Sequence, residues 1–364
     1  MDAKATLVVT PEQVMPSLKS MRVRGVFNPA AVRLKNKKIL LFARVAETPY
    51  HDEKTFIAPR FAGRERSHFV IERIRREKMK QREGLFVMND EIYRLPTLSH
   101  IRKILLDKGG MHAEEISGTM DFAGRTEDGD FGVEDPRITH FAKEGRYAMT
   151  YVSISMSSGV STSLALSNDL NIWERKGIIF RQQNKDVVIY PEKINGYYVA
   201  MNRPEGTMIF DKPGIWLSYS KDLVFWGKDR PIMKPRKTGW DALRIGAGSV
   251  PIKTDEGWLA IYHGVHLKNR RNPSSKKIYS AGAVLFDLKN PGKVLGISPA
   301  REPLFAPKYE FETEGFLGGV VFPTAAIPDI DGKSVIVYSG GADTCISARK
   351  VRIRAILDSL QRTR

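Results

Sequence analysis

The chain has 364 residues, 42% hydrophobic and 27% charged, the balance of a globular protein. Its single cysteine, Cys345, allows no internal disulfide and no cysteine-built zinc site, and no run approaches the roughly 18 apolar residues of a membrane-spanning helix. The net charge of +17 suggests a polyanionic partner, but residues 60–84, 266–277 and 348–364 each hold +5 of it, so the remainder is nearly neutral.

Between Met1 and Ser20, Asp2, Glu12 and Pro16 interrupt any apolar signal core, and a cytoplasmic location is expected. Beyond this, five segments repeat one pattern: a proline after a polar or small residue, a strand, a tight turn, then a second strand. The first runs from Asn28-Pro29 through Asn36-Lys37 to Arg44. The second runs from Asp135-Pro136 through Glu144-Gly145 to Ser153. The third runs from Tyr190-Pro191 through Asn195-Gly196 to Arg203, and the fourth from Val250-Pro251 through Glu256-Gly257 to His263. The fifth runs from Phe322-Pro323 through Asp331-Gly332 to Gly340. Third strands follow at Ser161–Ser167, Gly214–Ser220 and Tyr279–Phe286. Two of these lead into matching turns, Ser167-Asn168-Asp169-Leu170 and Ser220-Lys221-Asp222-Leu223.

The prolines are 107, 55, 60 and 72 residues apart, and a unit of that size holds four short strands. Radial repetition of such units predicts an all-β, five-bladed β-propeller spanning residues 1–364, rather than a sandwich of coincidental hairpins. The long first interval predicts an insertion at about 51–115. It is read as partly helical from the spacing of Phe69, Val70 and Ile74, and of Leu98, Ile101, Ile104 and Leu105. Val351, Ile353, Ile356, Leu357 and Leu360 predict a short helix in the tail, about 348–364.

The inner strands carry polar residues where purely structural strands would be apolar. Arg44, Arg203 and His263 end three of them, Asp135 opens another, and Asp343 follows the fifth. Cations and carboxylates converging from different repeats point to an anionic or polyhydroxylated ligand. The phosphate loop, the nucleophile elbow and the His-Glu-x-x-His zinc motif are all absent from the sequence.

Seven motifs then occur in order. They are Phe27-Asn28-Pro29-Ala30-Ala31, Gly132-Val133-Glu134-Asp135-Pro136-Arg137-Ile138-Thr139, Asn184-Lys185-Asp186, Tyr190–Gly196, Ile245-Gly246-Ala247-Gly248, Ile261–Val265 and Gly341-Ala342-Asp343-Thr344. Together they resemble glycoside hydrolase family 130, the β-mannoside phosphorylases, whose fold is a five-bladed propeller. The resemblance implies inverting, reversible phosphorolysis of a β-mannoside to α-mannose 1-phosphate. It makes Asp135 the acid, acting through the mannose 3-hydroxyl. It implies a phosphate pocket of Lys185, Arg203, His263 and Tyr279, and mannose contacts from Asn28, Arg44, Asp343 and, by a looser match at Arg64-Glu65-Arg66-Ser67-His68, Arg64. Lys185 stands where the family also uses arginine, and Ser280 replaces the arginine that follows the tyrosine.

No metal or cofactor is expected, with inorganic phosphate as co-substrate. A β-mannooligosaccharide is the expected partner, and β-1,2-linked substrates are favoured over β-1,4. The rival readings are an inverting β-mannosidase and a non-catalytic propeller that binds carbohydrate or nucleic acid. An inverting hydrolase needs a second carboxylate as base, whereas phosphate needs a cationic cradle, which the four phosphate positions supply. The basic runs lack interleaved aromatics, which argues against nucleic acid. They are read as solvated faces or as contacts within a homo-oligomer, an assembly common in the family.

Overall fold

The computed structural model describes residues 3–50, 53–64, 68–82, 85–88, 92–206, 208, 210–269, 271–272 and 274–363. Five antiparallel sheets form the blades of an all-β propeller. From its innermost strand outward, the first contains Met21–Arg33, Ile39–Pro49, Leu98–Leu106 and Ala113–Ile116. The second contains Val133–Phe141, Arg146–Ser155, Gly159–Ser167 and Glu174–Phe180, and the third Asn184–Ile189, Tyr198–Pro204, Ile215–Ser220 and Trp226–Met233. In the fourth, Arg244–Ala247 and Ile252–Thr254 share the innermost place beside Gly257–Leu267, with Lys277–Phe286 and Val294–Ile297 outside them. The fifth runs Val321–Pro328, Ser334–Gly341, Cys345–Arg352 and then Thr6–Val9.

The hairpins form where the sequence permits a reversed turn. Lys37, Gly145, Asn195, Gly196 and Gly332 all adopt positive φ, the conformation tight hairpins demand. The two matched turns are superimposable in their bonding. Ser167 Oγ accepts from Leu170 N and Ser220 Oγ from Leu223 N, both at 2.9 Å. Asp169 Oδ1 and Asp222 Oδ1 each accept from the backbone amides two and three residues further on, at 2.8–2.9 Å. Leu170 and Leu223 both take positive φ and are both buried, so packing offsets the backbone cost.

The core is a ring of wedges between neighbouring blades. Phe42, Ile101, Met149 and Tyr151 join the first and second blades, and Phe141, Leu164, Val187 and Tyr198 the second and third. Tyr190, Met201, Trp258 and Tyr262 join the third and fourth, and Leu259, Leu285, Val337 and Val351 the fourth and fifth. Val8, Val9, Leu41 and Ile336 close the fifth on the first.

Three local expectations differ. Apart from one 3-10 turn at Arg76–Lys78, the insertion is β where it is described: Thr55–Ala62 pairs with His68–Arg75, and Met79–Arg82, Leu85–Met88 and Ile92–Arg94 make a small sheet. Leu98–Leu106 is the missing third strand of the first blade. It is buried on both faces, so its apolar residues do not alternate and mimic helical spacing. In the tail, Val351 still belongs to a strand and the helix is Ile353–Ser359.

The prolines are also not all equivalent. Pro29 and Pro136 lie in bulges of their inner strands, where a residue without an amide hydrogen fits the interrupted ladder. The corresponding bulge of the third blade falls after Lys185, so Pro191 lies beyond the strand. Pro251 likewise falls between two short strands rather than within one.

Candidate active site

Those bulges aim the site. Asn28, Asp135 and Asp186 occupy the same place in the first three blades and share φ values of 49°, 48° and 56°. Each therefore turns its side chain out of the ladder and into a cavity of about 160 Å³ at the centre of the propeller. Asp343, with φ 51°, enters from the turn after the fifth blade's second strand. Arg44 and Arg203 sit opposite the bulges on the second strands, paired with Phe27 and Lys185. His263 pairs with Gly246 in the fourth blade, and Tyr279 comes from the third strand beside it.

Of the nine residues proposed from sequence, the cavity brings together eight: Asn28, Arg44, Asp135, Lys185, Arg203, His263, Tyr279 and Asp343. Arg64 does not line it. Its side chain, on the insertion, is 81% exposed and pairs at 3.3 Å with Glu127 of the loop before the second blade, while Glu65, Arg66 and Ser67 lie outside the described residues. The cavity also contains Glu134, Asp186 and Arg244, to which no role was assigned from sequence. Each adjoins or falls within a quoted motif, but strand alternation alone does not reveal which neighbour a bulge turns inward.

The charges are segregated. The fifth, first and second blades contribute Asp343, Arg44, Glu134 and Asp135, three carboxylates to one cation. Arg44 Nη1 donates to Asp135 Oδ1 at 3.2 Å, its Nη2 to Glu134, and its Nε to Ser99 Oγ at 3.0 Å. Asn28 Nδ2 donates to the same Asp135 Oδ1 at 2.9 Å. Arg137, fully buried, pins the bulge from behind: Nη1 donates to the Asp135 carbonyl at 2.9 Å and Nε reaches the Gly248 carbonyl of the fourth blade at 2.8 Å. Gly340 permits this corner, because a Cβ there would meet Asn28 Oδ1 at 2.1 Å.

The third and fourth blades contribute the cationic half, Lys185, Arg203 and Arg244, with Asp186 as its lining carboxylate. Arg203 Nε donates to Asp186 Oδ2 at 2.6 Å, and His263 Nε2 lies 3.7 Å from the same oxygen. Burial penalises the Asp186 carboxylate, but the fixed charges of Arg203 and Arg137 outweigh it and hold the group well below the ordinary range. Burial pushes the His263 imidazole down to about 3; Asp186 opposes this, while Arg203, Arg137 and Arg244 reinforce it. His263 is thus neutral at physiological pH and brings no charge to the cavity, and its Nδ1 is buried without a partner among the described residues. Gly246 makes the approach feasible: a Cβ there would lie 2.4 Å from both Asp186 Oδ2 and His263 Cε1.

A five-bladed propeller whose central cavity sets a carboxylate-rich half against a cationic half has the chemistry of an enzyme that brings a polyhydroxylated ligand beside an anion. A family model described as beta-1,4-mannooligosaccharide phosphorylase, glycoside hydrolase family 130, matches residues 108–362, and the chain belongs to this family. Beta-1,2-mannobiose phosphorylase of Listeria innocua is 35% identical across 97% of this chain and 96% of its own length. A 1,2-beta-oligomannan phosphorylase of a Thermoanaerobacter species is 38% identical over 62% of this chain and 70% of its own. The solved structure of the Listeria innocua enzyme with beta-1,2-mannobiose has a TM-score of 0.84 and 31% identity, covering 98% of this chain and 99% of that one.

Proposed function

We infer that the protein is an inverting β-mannoside phosphorylase that takes β-1,2-linked mannooligosaccharides and inorganic phosphate to α-mannose 1-phosphate and a shortened acceptor. The segregation of charge within one cavity carries this reading. Mannose sits against Asn28, Arg44 and Asp343, and phosphate against Lys185, Arg203, Arg244, His263 and Tyr279.

Asp135 is the acid. Asn28 and Arg44 both occupy its Oδ1, and Oδ2 has no partner among the described residues. That oxygen is the one left to carry the proton to the departing glycosidic oxygen, by way of the mannose 3-hydroxyl. Glu134 takes up part of the Arg44 charge, and Arg137 fixes the backbone from which Asp135 projects. Phosphate, already an anion, then attacks the opposite face of the sugar from the cationic cradle, so no base is required.

The same cradle argues against hydrolysis. On the cationic side, opposite the acid, the lining carboxylate that could activate water is Asp186, yet it is buried, paired with Arg203 and held far too acidic to accept a proton readily. The reaction needs no cofactor, and a cytoplasmic location, where phosphate is plentiful, completes the reading. Linkage preference is tested by supplying β-1,2- and β-1,4-mannobiose separately with phosphate. The β-1,2 disaccharide should give the higher kcat/KM for mannose 1-phosphate formation. Faster turnover of the β-1,4 disaccharide would overturn the assigned linkage.

A further inference from the structure

Glu205 lies one residue beyond the strand Tyr198–Pro204 and is not among the residues lining the cavity, but it grips two that are. One carboxylate oxygen accepts from Arg203 Nη1 of the third blade. The other forms an ion pair with Arg244 Nη2 of the fourth blade, 2.9 Å away. Its own backbone is fixed, since Glu205 N donates to the Gln183 carbonyl at 2.8 Å. With Asp186 on Nε and Glu205 on Nη1, Arg203 is held at two corners of its fork. Arg244 is held by Glu205 alone among the described residues, and its Nε is buried without a partner.

We propose that Glu205 is a positioning residue that yokes Arg203 and Arg244 into one phosphate clamp. This rests on the phosphorolytic reading of the cavity. Two guanidinium groups side by side repel each other, and a long side chain left to itself samples many rotamers. A carboxylate between them removes the repulsion and fixes both planes, leaving their remaining N–H groups aligned for phosphate oxygens before phosphate arrives. The negative charge of Glu205 also repels phosphate directly, so the proposal commits to a sign: the alignment outweighs the repulsion, and removing the charge weakens phosphate binding.

The test is calorimetric titration of inorganic phosphate into wild type and Glu205→Gln, alongside steady-state kinetics. An amide accepts from one arginine but presents an NH₂ group to the other, which breaks the yoke. Glu205→Gln should raise the phosphate Kd and KM by about tenfold or more, the scale of a lost charge-assisted hydrogen bond, and leave the mannobiose KM within about twofold. A merely structural role would lower melting temperature and shift both KM values together. Glu205→Asp, one methylene too short to span both arginines, should show the same selective loss and serves if the glutamine variant does not fold. An unchanged or lower phosphate Kd in a folded variant overturns the clamp. Wild type that binds phosphate but releases no mannose 1-phosphate overturns the phosphorolytic reading and leaves the clamp standing; wild type that binds no phosphate overturns both.

Discussion

The carboxylates in the sugar half differ in what they cost the fold. Burial lifts the Asp343 carboxyl to about 6; Arg44 and Lys185 pull it down, while Asp135 and Glu134 push it further up. Its folded value lies above the unfolded value of about 3.9, so the folded chain holds the proton more tightly. The stabilisation this gives is fully present below about pH 4 and is lost as pH rises through about 6. Asp343→Asn should therefore gain roughly 2 kcal/mol relative to wild type at pH 7.5 and almost nothing at pH 4, while weakening mannoside binding. Urea denaturation at the two pH values reads this; an equal effect at both would show that Asp343 titrates normally. Of the eight proposed residues that the cavity gathers, Arg44, Asp135, Arg203, His263 and Asp343 are legible as polar residues recurring in successive repeats, whereas Asn28, Lys185 and Tyr279 are named by the family resemblance. Arg64 was misplaced because its match lay inside an insertion, where spacing no longer fixes position. Asp186 and Arg244 are not legible because one is turned inward by a bulge and the other is held by an ion pair across blades, neither of which has a sequence period.

At the scale of elements, the hairpins were legible because their turns require particular residues and their strands follow at fixed distances. Leu98–Leu106 was not, since a strand covered on both faces has no alternation to read. The closure of the ring was invisible as well. Thr6–Val9 pairs with Cys345–Arg352 across almost the whole chain, Thr6 opposite Ala348 and Leu7 opposite Ser347, and four residues are too short for a period. This strand completes the fifth blade and places Val8 and Val9 in the wedge against the first. Deleting residues 1–9 should remove roughly 3–5 kcal/mol, the burial of two valines with the strand pairing, and lower the urea midpoint sharply. An unchanged midpoint would mean that the ring does not depend on this clasp. The insertion is tied to the loop that feeds the acid's strand, with Phe61 N donating to the Asp130 carbonyl at 2.8 Å and Thr126 N to the Gly63 carbonyl at 3.1 Å. It therefore stands at the end of the first two blades that carries Arg44 and Asp135.

Over the whole molecule, the clustering of positive charge in the tail acquires a structural explanation. Arg349 pairs with buried Glu312, Lys350 with Asp329 and Asp331, and Arg354 and Arg362 with Glu256. The insertion does the same on a smaller scale, with Arg60 and Arg94 sharing Glu72. Acids distant in sequence meet these cations in space, so a run that reads as a basic tract becomes part of the clasp between the last two blades. Gln361–Arg362 extends the fourth sheet by pairing with Val294–Ile297. In the proposed reaction, the cations with a chemical task are the few that face the cavity. Their arrangement makes phosphate, rather than water, the nucleophile, and this is measured most directly by incubating the enzyme with β-1,2-mannobiose in the presence and absence of inorganic phosphate and identifying the sugar released. The account predicts α-mannose 1-phosphate with phosphate and no cleavage without it. Free mannose from both donor halves, formed at the same rate in the absence of phosphate, would contradict it.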